Sequence, residues 1–323
     1  MMSAVDASVD ERAAETRDEA VRPSDIIRDI IGRDRLAGFV ERRDGPGLAF
    51  AAAHAALIVA TGWLLWRALG TAWAVPATIV HGIVIVHLFA PFHESTHYTA
   101  FRSRRLNTAV GWATGLVLML PPTAFRYQHT AHHKYTQDLD LDPQMIPIGE
   151  HRWGFAYYAS AVPYFQGILS GLVRQPLARL SPAERRDVPP AQLATVVREA
   201  RIFWCVYLAL AAVSVHFESW LAVQLWLVPR VVGEPLMRVI RMSEHVGCAR
   251  VPSMLENTRT VFTIAPLRLL AWNMAYHTAH HALPQAPFFR LGALDAVLRD
   301  HVVETRDGYV DFVRTHFRRM AAR

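Results

Sequence analysis

Residues 72–97 read AWAVPATIVHGIVIVHLFAPFHESTH, an apolar run that passes without a break into His93-Glu94-Ser95-Thr96-His97. No Asp, Glu, Lys or Arg occurs between Ala72 and Phe92. A run of that length is enough to cross a hydrocarbon layer as a helix. On a helix, positions i and i+4 share a face, so His93 and His97 leave the end of the span in one direction. The stretch therefore predicts a membrane helix with metal-type ligands at its mouth.

The reading extends outward in both directions. Leu48 to Leu69 forms a first span, with Arg67 at its far end where it can snorkel. Gly70-Thr71 is short enough to make the two spans a hairpin. Leu106 to Leu120 is too short for a span before Pro121-Pro122, and is expected to be interfacial or re-entrant. Ile202–Phe217 and Trp220–Val232 make a second apolar pair. Arg42 and Arg43, Arg102 to Arg105, Arg198 and Arg201, and Arg230 to Arg241 flank the four runs on one side. The positive-inside rule then puts both termini and every histidine cluster in the cytoplasm. The expected fold is all-α: an integral membrane protein with about four transmembrane helices in two hairpins, and a cytoplasmic helical cap. Residues 1–46 are expected as a polar, partly flexible tail, with a short amphipathic helix from Ser24 to Val40. Residues 47–292 form the membrane domain and 293–323 a polar C-terminal tail.

Composition narrows the function. Of the 323 residues 52% are hydrophobic, which moves the chain to the membrane class. The net charge is +6, and all basic residues but Lys134 are Arg. No basic run is interleaved with stacking aromatics, so nucleic acid is not an expected partner. Cys205 and Cys248 cannot build a disulfide framework or an iron–sulfur site, so any electrons must come from another protein. The polar N-terminus has no apolar core of a secretory signal.

The histidines carry the chemistry. His-Thr-Ala-His-His occurs twice, as His129, His132, His133 and as His277, His280, His281. With His93 and His97 they make eight candidate ligands, and His245 in Ser243-Glu244-His245 makes a ninth. Imidazole suits zinc, copper, iron and nickel, and this number exceeds one ion's needs. Two neighbouring metals, each with about four imidazoles and an open position, fit better. Glu94, Asp138, Asp142 and Glu244 are candidates to orient the rings through their second nitrogens. Asn273, four residues before His277, would share its helical face and could hold a metal-bound water. No catalytic residue separate from the metal site is expected.

Other readings exist. His93-Glu94-x-x-His97 is also the zinc-protease pattern with Glu as general base, but that chemistry leaves both His-Thr-Ala-His-His motifs without a role. A non-catalytic metal-binding membrane protein is a further alternative. The isolated His54, His81, His87, His151, His216, His301 and His316 read as hydrogen-bonded structural residues, His87 least firmly because it lies near the first cluster.

At these residues the chain resembles the membrane-bound fatty acid desaturase superfamily, which also holds alkane hydroxylases and carotenoid ketolases. The family pattern is His-x(3–4)-His, His-x(2–3)-His-His, then His or Gln-x-x-His-His. His93/His97, His129/His132/His133 and His277/His280/His281 match it, and Glu244-His245-x-Gly247 looks like the extra histidine before the third box. The resemblance covers roughly residues 50–290 and implies a di-iron centre that uses O2 as co-substrate. It implies a fatty acyl lipid substrate, and a separate donor of ferredoxin, rubredoxin or cytochrome b5 type. The three-residue gap in the first box resembles bacterial acyl-lipid enzymes, in an inner membrane, more than acyl-CoA ones. Introduction of a double bond is the expected reaction, with hydroxylation or ketolation of an alkyl or carotenoid lipid as the alternative.

Overall fold

The computed structural model describes residues 23–322, which are mostly helical. It starts with α1 (Pro23–Ile31) and α2 (Arg33–Phe39), separated by Gly32 at φ 81°. Only glycine takes that left-handed position freely, so the stretch expected to be one amphipathic helix is two. Its apolar face packs on protein: Ile27 and Ile31 are buried with Phe101, Trp272 and Phe288. The rest of the expected flexible tail, residues 1–22, lies outside the described residues.

The first hairpin is α3 (Asp44–Ala68) followed by α4 (Ala74–Val86) and α5 (Phe89–His97). The expected second span is thus two helices with a break at His87-Leu88, where the His87 ring bonds the Ile83 carbonyl at 2.7 Å. Tyr98, at φ 58°, ends α5 just after the first histidine pair. Next come α6 (Arg104–Leu118) and α7 (Pro122–Tyr135), bent by 96° at the Met119–Pro121 corner. Glu199 fixes the start of α7 by accepting from Thr123 N and Oγ1 at 2.8 and 2.7 Å. A carboxylate there satisfies an amide the helix leaves orphaned.

A peripheral layer follows: α8 (Arg152–Ala159), α9 (Val162–Arg174) and α10 (Pro182–Asp187), the last opened by a capping box from Ser181 and Glu184. The second long pair is α11 (Pro190–His216) and α12 (Val228–His245), joined through a π-helical turn at Val223–Leu227. By length and composition two stretches are long and apolar enough to cross a membrane, Asp44–Ala68 and Ala74–His97. The bent α6–α7 pair would make a third at most. The expected span at 202–217 falls on α11, and the one at 220–232 covers the π-helical turn and the first residues of α12; neither stands out by that measure. Arg230, Glu234 and Arg238 explain this for α12: they are charged yet buried within the protein.

Glycine brings α4 and α12 into backbone contact. A Cβ on Gly82 would overlap the Pro229 carbonyl, and one on Gly233 would overlap the backbone of Gly82. Small residues of this kind let membrane helices approach closely. The contact fixes the distance between the helices that lead to His93 and to His245.

The chain closes with α13 (Met254–Asn257), β1 (Arg259–Val261), α14 (Ala265–Leu270), α15 (His277–Ala282), α16 (Leu291–Leu298), β2 (Glu304–Arg306) and α17 (Tyr309–Ala321). β1 and β2 pair in parallel, with Thr260 opposite Thr305. Residues 293–323 are expected as a polar tail, but their described part, 293–322, is built in: Leu294, Leu298 and Phe312 are buried. Their apolar residues are too sparse to announce a core by themselves, and they join one made by distant segments.

Candidate metal centre

Four elements deliver the nine histidines. α5 presents His93 and His97, α7 presents His129, His132 and His133, the end of α12 presents His245, and α15 presents His277, His280 and His281. Their ligand atoms form two groups. His93, His97, His129, His133 and His280 make the first; His132, His245, His277 and His281 make the second. Within each group the ligand atoms lie within 4.8 Å of one another. The second group is wholly buried, while His97 and His133 are half-buried in the first.

The division cuts across the motifs. Adjacent helical residues point about 100° apart, whereas i and i+4 nearly coincide. So on α7 the i,i+4 pair His129 and His133 serves the first group, and His132 turns to the second. On α15 the pair His277 and His281 serves the second group, and His280 turns to the first. Each His-Thr-Ala-His-His motif thus feeds both groups.

The nitrogens converge. His93 Nε2 is 2.6 Å from His129 Nε2, which is 3.1 Å from His133 Nε2, itself 3.1 Å from His280 Nε2. In the second group His245 Nε2 lies 3.2 Å from His132 Nε2 and 2.9 Å from His277 Nε2. The Nε2 atoms of His97 and His281 are buried and have no partner among the described residues. Burial holds the imidazoles of His245, His277, His280 and His281 well below their ordinary pKa, so they are neutral. A neutral ring has one N–H, and such chains of facing nitrogens cannot all be paired by protons. Imidazoles on one first-row metal, each about 2.1 Å from it, sit roughly 3 Å apart, so a cation in each group fits the donor set.

The opposite ring edges are oriented where orientation matters. His132 Nδ1 donates to Asp142 Oδ1 at 2.8 Å, His129 Nδ1 to Gln144 Oε1 at 3.1 Å, and His281 Nδ1 to Thr136 Oγ1 at 3.3 Å. Each bond places the proton on Nδ1 and leaves the Nε2 lone pair facing its group. Asp142 is itself held by the amides of Gln137 and Gln144. The Gln137 side chain bonds the His245 carbonyl, tying α7 to the end of α12.

Glu94 and Glu244 sit near rings without bonding them, each 3.7 Å from an Nδ1, of His93 and His277 respectively. Burial pushes Glu244 up to about 7, with the bonded Arg241 guanidinium opposing. Glu94 accepts from Thr99 Oγ1 and the Phe288 amide at 2.8 and 3.1 Å. The general-base role of a zinc-protease motif is not supported by a carboxylate used in this way.

Two expectations fail. Asp138 is exposed and accepts from the amides of Asp140 and Leu141, both at 2.9 Å, as a turn residue. Asn273 does not share a helical face with His277, because α15 starts only at His277. Trp272 and Asn273 are both left-handed, at φ 50° and 60°, and the Asn273 amide donates to the Phe288 carbonyl at 3.2 Å. Asn273 therefore shapes the turn before the third box. Gln144, Thr136 and Gln137 were not expected; the only signal for Gln144 was its place two residues after Asp142. The isolated His54, His81, His87 and His316 do bond main-chain carbonyls.

Replacing Asp142 with Ala frees the His132 ring and two amides together. Metal affinity should drop roughly 10- to 100-fold, the usual cost of losing an outer partner of a ligand. Titration with a competing chelator checks this; unchanged affinity would remove Asp142 from the centre.

The chain is similar in sequence to known proteins. A family model described as fatty acid desaturase matches residues 71–312. A sphingolipid delta(4)-desaturase DES1 of Drosophila melanogaster is 26% identical over 243 residues, covering 72% of this chain and 68% of the relative. A fatty acid desaturase of Bacillus subtilis is 23% identical over 233 residues, covering 66% of this chain and 65% of that protein, just under two thirds of its length. An sn-1 acyl-lipid omega-3 desaturase (ferredoxin) of a Synechocystis strain is 23% identical over 93 residues, 28% of this chain and 26% of the relative.

Proposed function

Because the chain belongs to the fatty acid desaturase family, whose model spans residues 71–312, we propose that it introduces a double bond into a fatty acyl chain of a lipid. The observation that carries the reading is the convergence of nine imidazoles into two adjoining groups. His93, His97, His129, His133 and His280 would hold one iron; His132, His245, His277 and His281 would hold the other. Bound there, the iron pair would supply reduction of O2 and oxidation of an unactivated C–H bond. The balance is a –CH2–CH2– unit, O2, two electrons and two protons going to –CH=CH– and two waters. The electrons come from a separate redox protein, a role for which the ferredoxin in the name of the Synechocystis relative is a precedent.

The residues of this chain have definite tasks in that scheme. Asp142, Gln144 and Thr136 hold the ring tautomers. Phe125 stacks on His129 with ring centroids 5.2 Å apart, and Phe89 lies 5.8 Å from the His93 ring. These rings keep water from the site and offer an apolar wall to an acyl chain. The exposed apolar side chains of α3 and α11, Val59, Trp63, Leu208 and Val215 among them, support a bilayer setting. With α11 and α12 as the second hairpin, four spans put all nine histidines and both termini on the cytoplasmic side, in a bacterial inner membrane if the host is bacterial.

Two measurements test this. Purified protein should carry two irons per chain, and lipids from cells expressing it should show acyl chains lighter by two hydrogens. A gain of one oxygen would mean hydroxylation, and a single zinc per chain would sink the proposal.

A further inference from the structure

A cavity of about 390 Å³ adjoins the first histidine group, with Phe89, Phe125 and Gln144 in its wall. Much of its lining is apolar, including Met119, Leu120, Ile168 and Leu172. Three arginines also line it. Two of them are matched by carboxylates: Arg174 bonds Glu184 at 3.1 Å, and Arg241 bonds Glu244. The third, Arg238, is not matched one to one. It shares Glu234 with Arg230, which sits one turn on the other side of that carboxylate. Arg230 and Glu234 are each 1% exposed and Arg238 5%, so the set is buried.

Two guanidinium charges thus meet one carboxylate charge. Besides Glu234, the side chains in contact with the two guanidiniums are neutral aromatics. Tyr164 Oη accepts from Arg230 at 3.0 Å, Tyr158 Oη accepts from Arg238 at 3.4 Å, and Arg238 lies 3.8 Å over the Tyr164 ring. Arg238 Nε has no partner among the described residues. Buried charges are paired as a rule, and ionisable groups inside membrane bundles mark the path of a polar ligand. Of the two cations sharing Glu234, only Arg238 lines the cavity.

We infer that Arg238 receives an anionic oxygen at the polar end of the acyl substrate, a carboxylate or a phosphate ester. The inference rests on the proposed acyl substrate. A guanidinium fork suits either group, and the missing negative charge is what a neutral amide-linked lipid would not supply. Arg238 is seven residues before His245, about 10 Å along the helix. An anchor there limits how much chain lies between the polar end and the oxidised bond.

The test reads binding, not turnover. The full chain in nanodiscs is titrated with a photoactivatable fatty acid, phosphatidylglycerol or ceramide bearing the same acyl chain. Label should appear on peptides holding Met119 and Phe125. For the anionic probe that labels, Arg238→Gln should raise the half-saturating concentration roughly 10- to 100-fold, as loss of a charged hydrogen bond does, with Arg238→Lys in between. Arg238→Gln leaves Arg230 and Glu234 as a balanced pair, so the fold should hold. The fatty acid labelling identifies a carboxylate, phosphatidylglycerol a phosphate. Equal half-saturation in wild type and Arg238→Gln for both anions overturns the inference, and so does labelling by ceramide alone. A chain that binds the anion through Arg238 yet forms no alkene refutes the reaction and leaves the anchor standing.

Discussion

His280→Ala should cut activity at least roughly 1,000-fold, since a missing metal ligand forfeits several kcal/mol of Lewis-acid stabilisation. The first group would keep four imidazoles, His93, His97, His129 and His133, but lose the one that joins α15 to α5 and α7. His280 Nε2 lies 3.1 Å from His133 Nε2, and the ring is fully buried, so neither water nor a neighbour replaces it easily. His277→Ala removes a ligand from the second group instead. The two variants should each fall from two irons per chain toward one, and their residual iron should differ in spectrum because a different group is left intact. Full activity in His280→Ala would overturn the assignment. Identical spectra in both would overturn the division into five and four.

Gly233→Val should be nearly as damaging, although no histidine is touched. The new side chain would meet the Gly82 backbone, which cannot move aside as a flexible side chain can. Overpacking commonly costs about 1–3 kcal/mol, and a backbone obstacle belongs at or above the upper end. With α4 and α12 forced apart, His93 and His245 cannot both reach their groups. Folded yield, iron content and activity should fall together. Gly38 faces open space and is the control: Gly38→Val should leave all three near wild type. A Gly233→Val chain with full iron and unshifted thermal unfolding would show that the helix spacing does not govern the centre.

The difference between what the sequence discloses and what it hides follows the range of the interactions. The nine histidines were readable because i, i+3 and i+4 spacings are local and few other uses explain them. The first hairpin was readable because its lipid-facing residues form unbroken apolar runs. α12 was harder, since Arg230, Glu234 and Arg238 satisfy one another along a helix face that no composition count can see. Asn273 misled because a helical phase was extended backward across a turn with two left-handed residues. Asp138 misled because an acid beside a histidine motif looks the same whether it caps a turn or orients a ring. Gln144 was missed because its partner, His129, lies on another element. The division of each motif between the two groups needed the relative placement of four helices, which spacing within any one of them does not contain.

That division has a consequence for biosynthesis. The first group lacks His280, and the second lacks both His277 and His281, until the chain has been made as far as α15. A ribosome delivering the hairpins in order therefore has both of them made while neither histidine group is complete. Contacts between residues so far apart in sequence form late. A complete metal site can then form only after α15 has been made, so loading is a late maturation step, and cells short of the metal would accumulate full-length but unloaded chains.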